Sequence, residues 1–129
     1  TNDGGLLLFD YGYSENKFKD TLQAIQNHKY ANILDNIGNR DITYNLNFYF
    51  LNKFIQSLKK LKSIYINQRN FLLNMGIMQR AEIISKKLQF SKKADLFYRV
   101  GRLIDEDKMG SLFKVMFVTK KNNSFKVGF

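Results

Sequence analysis

The sequence contains no cysteine and no proline, and only one histidine, His28. Without thiols there is no disulfide, no thiolate zinc site and no cysteine nucleophile. A single histidine rules out a histidine-rich metal centre. No apolar run approaches the length of a membrane-spanning helix, and no signal-peptide pattern is visible. Phosphate-binding glycine loops are missing as well: neither GxGxxG nor GxxxxGKS/T occurs. No glycine frame of the nucleophile-elbow kind surrounds a serine, so Ser-His-Asp catalysis has no support. For the lone His28 a hydrogen-bonded structural role is preferred, with a site role as the alternative. The chain begins Thr1-Asn2-Asp3 without methionine, which fits a fragment or processed chain better than a complete translation product.

What is there suffices for one compact domain. The 129 residues are 44% hydrophobic and 15% aromatic, enough for a core and far from a disordered composition. Twenty-one basic against 11 acidic residues give a net charge of +10. That balance invites a nucleic-acid reading. The lysines, however, are spread along the chain, and no ribonucleoprotein or zinc-finger motif accompanies them. Abundant Lys, Asn, Ile, Phe and Tyr also match AT-rich codons. Solvated surface lysines explain the charge better, and a nucleic-acid-binding module remains the weakest functional alternative.

The stretch that organises the chain is Gly4–Tyr13, GGLLLFDYGY. Its unbroken apolar run, Leu6 to Phe9, predicts a strand buried on both faces. Asp10 and Tyr11 then fall near the carboxyl end, where open α/β sheets bind ligands. Residues 13–37 have a mixed pattern, compatible with helix or extended chain. Gly38–Asp41 has turn chemistry. A helix is expected over Asn47–Leu61, capped by Asn47, because Phe48, Leu51, Phe54, Ile55 and Leu58 recur at helical spacing. Lys62–Gln68 alternates as a strand. Two helices are expected next, one on Ile77, Ala81, Ile84 and Leu88, the other on Leu96, Val100, Leu103 and Ile104, with Ser91 as its cap. An acidic loop, Asp105–Asp107, leads to a strand at Leu112–Thr119. The tail is a hairpin return or a loop. Strands alternating with helices imply an α/β architecture, and the leading buried strand suggests part of a sheet rather than a whole one. Asp10, Asp41 and the acidic loop could line a cationic pocket, since carboxylates accept charge-assisted hydrogen bonds from guanidinium or ammonium groups. Turn-capping by Asp41 and solvation of the loop are the plainer alternatives.

Several separated blocks, in a fixed order, carry a resemblance. They are DYGY at Asp10–Tyr13, DTLQAIQNHKY at Asp20–Tyr30, and G-x-x-DIT-x-x-x-x-F at Gly38–Phe48. Gln68-x-x-FL-x-x-MGI up to Ile77, Arg80, and KMGSLFKVM at Lys108–Met116 follow. Together they resemble the carboxyl-terminal half of the MidA family, class I S-adenosylmethionine-dependent methyltransferases of bacteria and mitochondria, whose mitochondrial members act as arginine methyltransferases in assembly of respiratory complex I. The resemblance implies the carboxyl-terminal part of a Rossmann-like methyltransferase fold. Gly4–Asp10 would be its fifth strand, Lys62–Gln68 the sixth and Leu112–Thr119 an antiparallel seventh. The chain would be a single partial domain, 1–129, with a helical insertion at about 70–105.

The first four strands, with the family's glycine-rich cofactor loop, are not in the sequence, and Tyr44-Asn45-Leu46-Asn47 replaces a more typical Ala-His/Asp-Val-Asp run. S-adenosyl-L-methionine is therefore implied for the full-length protein and is not expected to bind this chain alone. The resemblance further implies arginine N-methylation of a protein substrate. Asp10, Tyr11, His28 and Asp41 become the candidate acceptor-side residues, and no catalytic residue is assigned. Localisation would be cytoplasmic for a bacterial member and the mitochondrial matrix for a eukaryotic one, without membrane partners. The alternative is a non-catalytic interaction or assembly module, which would self-associate or seek its missing amino-terminal half.

Overall fold

The structure, a computed structural model, describes residues 4–27 and 29–129. It is a mixed α/β fold built from two sheets. The larger contains β1 (Gly5–Tyr13), β5 (Leu46–Asn47), β6 (Leu61–Asn67) and β7 (Phe113–Lys120), in the order β5-β1-β7-β6. β7 runs antiparallel to both β1 and β6, so those two are parallel to one another. The short β5 joins the far side of β1 in parallel, at Gly12 and Tyr13 only. The smaller sheet contains β2 (Gln23–Gln26), β3 (Lys29–Ala31) and β4 (Asp41–Thr43), all antiparallel, with β2 in the middle.

Helix α1 (Phe48–Ser57) covers one face of the larger sheet. Its Phe48 and Ile55 meet Met116 of β7 in a buried cluster, flanked by Leu8, Leu51 and Tyr65. Asn47 starts the helix as expected: its Oδ1 accepts from the Phe50 N–H at 3.2 Å. Gly12 is required beneath this helix, because a Cβ there would run into the Leu46 carbonyl and the Phe48 ring. The opposite sheet face is aromatic. Phe9 meets the edge of Phe71, with ring centroids 5.3 Å apart, and Phe129 and Phe125 from the tail pack on Phe71 and Phe117.

Three helices, rather than two, lie between β6 and β7: α2 (Gln68–Asn74), α3 (Ile77–Ser85) and α4 (Phe90–Ile104). Gly76, at φ +78°, makes the turn between the first two, a conformation that costs glycine little. The extra helix begins directly where β6 ends, so the strand's alternation hides its start. Ser91 lies inside α4; Gln89 occupies the cap position and makes no side-chain cap bond. Instead, α4 is fastened at its other end. Gln68 Nε2 donates to the Leu103 carbonyl at 2.9 Å and Arg69 to that of Ile104 at 2.8 Å, filling carbonyls that a helix terminus leaves unpaired. The acidic loop is a π-helical turn, Glu106–Gly110, and the tail makes no strand.

Candidate active site

The carboxyl end of β1 meets the smaller sheet at a cleft of about 360 Å³. Tyr11 of β1 and Leu112, just before β7, line it from one side. Gln23 and Ile25 of β2, Tyr30 of β3 and Thr43 of β4 line it from the smaller sheet. Tyr44 and Asn45, which lead from β4 into β5, form the remaining wall and also border a second cleft of about 450 Å³, over Tyr13, Phe18 and the start of α1.

Backbone register assembles the first cleft from distant sequence. Ala24, the buried residue of β2, sits opposite Ala31 on one side and Ile42 on the other. Gln23 pairs with Thr43, and its Nε2 donates to the threonine Oγ1 at 3.1 Å, leaving Oε1 to accept from a ligand. The Asn45 N–H donates to Thr21 Oγ1 at 3.0 Å, which holds the Tyr44-Asn45 turn in place. Asn47 anchors the segment that follows β1: its Nδ2 donates to the carbonyls of Glu15 and Lys17, at 3.2 and 3.0 Å. Glu15 in turn bonds Lys19 and lies 3.4 Å from the Lys17 ammonium. The hydrogen bond from Lys19 holds its carboxyl below the usual glutamate range.

Successive residues of a strand point to opposite faces, and this separates Asp10 from Tyr11. Tyr11 turns to the cleft side, its ring centroid 4.1 Å from that of Phe113. Asp10 lies on the α1 side, directly across from Lys114, which is in turn opposite Asn67. These three form a polar row near the carboxyl ends of β1 and β6. Asp10 Oδ1 accepts from the Tyr11 N–H at 2.8 Å. Lys114 is buried and donates to the Ser111 carbonyl; burial pulls its ammonium below the ordinary lysine range. Asp41 opens β4, exposed, and does not line the cleft. His28 lies outside the described residues.

Of the four candidates, then, the structure places Tyr11 at the cleft, and it adds Gln23, Tyr30, Thr43, Tyr44 and Asn45. Among the described residues the cleft offers aromatic faces, amides and hydroxyls, and no carboxylate. Such a lining can hold a planar or cationic group by ring faces and hydrogen bonds. Among the described residues no cluster of His, Asp and Glu could hold a metal ion, and no helix is long and apolar enough to cross a membrane.

Residues 1–67 match the family described as "Putative S-adenosyl-L-methionine-dependent methyltransferase". The chain belongs to this MidA-type methyltransferase family. Among curated relatives it is 33% identical over 113 residues to the Danio rerio protein named protein arginine methyltransferase NDUFAF7, mitochondrial, covering 87% of this chain and 26% of that one. The Homo sapiens protein of the same name is 32% identical over 112 residues, covering 85% and 25%. Two solved chains from Burkholderia thailandensis share the fold at 24% identity. One superposes with a TM-score of 0.80, covering 98% of this chain and 36% of that chain. The other, solved with S-adenosyl-homocysteine bound, gives 0.78, covering 98% and 34%. This chain thus spans about a quarter of the curated relatives it matches.

Proposed function

We propose that this chain is the carboxyl-terminal portion of a protein arginine methyltransferase and supplies the acceptor side of its site. β1, β6 and β7 take the places of the fifth, sixth and seventh strands of the methyltransferase sheet, and the tyrosine-lined cleft receives the arginine. The observation that carries this is the sheet itself: an antiparallel strand between two parallel ones, with β1 presenting an apolar, largely unpaired edge on its other side. The names of the relatives and the short share of their length that this chain spans support the same reading.

The residues present do not fit the methyl donor. The segment leaving β1, Ser14–Thr21, has no glycine and is pinned by Asn47, so it forms no glycine cradle. Among the described residues no carboxylate lines the cleft for a ribose. The donor therefore belongs to the part of the protein that this chain does not contain. What this chain's residues do is bind and orient. Tyr11, Tyr30 and Tyr44 offer ring faces to a guanidinium, and Gln23 Oε1 and Asn45 can accept its N–H groups. Methyl transfer rewards such positioning, because the donor arrives already activated.

Calorimetry with S-adenosyl-methionine tests the reading. The full-length protein should bind it and this chain alone should not. Binding by the isolated chain at ordinary affinity contradicts the division of labour, and no binding by the full-length protein removes the enzyme. In that full-length protein, Tyr11→Leu should lower kcat/KM for an arginine peptide by roughly three- to thirtyfold, with Tyr11→Phe near the parent.

The exposed β1 edge favours one second reading, an assembly module without activity. It predicts self-association, and light scattering that shows a stable monomer would count against it.

A further inference from the structure

We propose that the second cleft, over Tyr13, Phe18 and the start of α1, is a specificity subsite for an apolar side chain flanking the methylated arginine. The inference rests on the reading of the first cleft as the arginine site, and it names a feature that the substrate should carry. Tyr44 and Asn45 line both clefts, so one short wall serves the two. An arginine in a protein substrate cannot enter the first cleft without its neighbours. An extended chain advances about 3.3 Å per residue, so a residue one or two places from the arginine lies roughly 3–7 Å further on. That is about the thickness of a wall one side chain deep.

The polar groups around the second cleft are largely engaged in holding the fold. Lys19 bonds Glu15, and Thr21 Oγ1 accepts from the Asn45 N–H. Asn47 caps α1 and ties down the carbonyls of Glu15 and Lys17. These bonds fix the wall, and what faces a ligand is mostly carbon: Phe18, Leu22, Leu46, Phe50 and Leu51.

Phe18 is 79% exposed and Leu22 50%, and contiguous apolar surface left in water marks a contact site. The Phe18 ring is held in place by a stack on Phe50, with centroids 4.5 Å apart and planes 19° apart. A ring fixed in this way loses little freedom when a side chain packs on it. Asp20 also lines the cleft and would favour lysine or a second arginine. It is one carboxylate beside a set of apolar side chains, so an apolar occupant is the better fit.

The test uses the full-length protein and glycine-spaced peptides that contain a single arginine. Leucine, phenylalanine, lysine or glycine is placed one or two residues to either side. At one of these positions leucine or phenylalanine should raise kcat/KM over glycine by roughly five- to thirtyfold. The gain should fall on KM rather than kcat, because the subsite grips substrate and transition state alike. Phe18→Ala should remove most of that preference, and Phe18→Leu should keep it. The thermal melt of Phe18→Ala should match the parent, since the ring is largely exposed. Turnover of every peptide alike, or a preference for lysine alone, overturns the subsite and leaves the arginine site standing. A lowered melt in Phe18→Ala with the preference intact overturns it too, because the rest of the protein then fills the cleft. Turnover of no arginine peptide removes both readings.

Discussion

β1 and β7 are neighbours with similar sequences and opposite surroundings. Each is a run of apolar and aromatic residues with one charged side chain inside it, Asp10 in one and Lys114 in the other, and β7 ends on a second, Lys120. β7 has a bonded strand on both sides, and its Val115 and Met116 are fully buried. β1 has β7 on one side and, on the other, only two residues of β5. Its Leu6 is 61% exposed, Leu7 46% and Phe9 42%. A long apolar strand with an open edge invites pairing, and proteins ordinarily blunt such edges with charge, bulges or cover. Among the described residues, β1 has none of these along its first half. Its sequence is that of an interior strand, and its surroundings are those of an edge.

That contrast can be broken by substitution. Met116→Ala, in the packed strand, should cost about 2–5 kcal/mol in chemical denaturation, as a cavity in a closed core does. Asn47→Ala should come next, at about 1–2 kcal/mol. It removes the α1 cap and the two bonds that tie the segment after β1. Leu7→Ala, in the open strand, should cost about 1 kcal/mol in this chain, since Leu7 is 46% exposed and leaves little cavity behind. Measured in the full-length protein, Leu7→Ala should rise into the range of Met116→Ala. Equal costs at Leu7 and Met116 in this chain alone would erase the contrast.

A smaller effect concerns the charged residue of the packed strand. Burial lowers the Lys114 pKa, so between the folded value and the ordinary lysine value the unfolded chain binds more protons than the native one. Stability therefore rises with pH through that window, and the penalty is fully present below it. Lys114→Met should flatten this alkaline rise in thermal melts followed over pH. An unchanged slope would mean that Lys114 is as solvated folded as unfolded.

The same two strands show what the sequence could reveal. Both are long apolar runs, and α1 and β6 have periods that only helix and strand produce, so three strands of the larger sheet and its helix were legible, while the two-residue β5 was not. The smaller sheet was not. Its strands have four, three and three residues, too short for a period to emerge, and of these only Ala24 is buried. Helix α2 was concealed because Gln68 continues β6 without a break. At the site, Tyr11 could be named because it lies near the end of a visible strand. Tyr30 and Tyr44 could not, since they reach the cleft through a register between short strands that no local pattern encodes. Strand alternation sends the adjacent candidates Asp10 and Tyr11 to opposite faces.

The most direct measurement is residue-resolved amide exchange along β1, at a concentration where light scattering shows a monomer. In an antiparallel pair alternate amides bond the partner and the rest point away from it. Over Leu6–Tyr11 alternate amides should therefore exchange as fast as loop amides, while those of β7 are protected throughout. In the full-length protein the fast set should become protected. Uniform protection of Leu6–Tyr11 in the monomeric chain would contradict the account, because it would mean that β1 already has all the neighbours it needs.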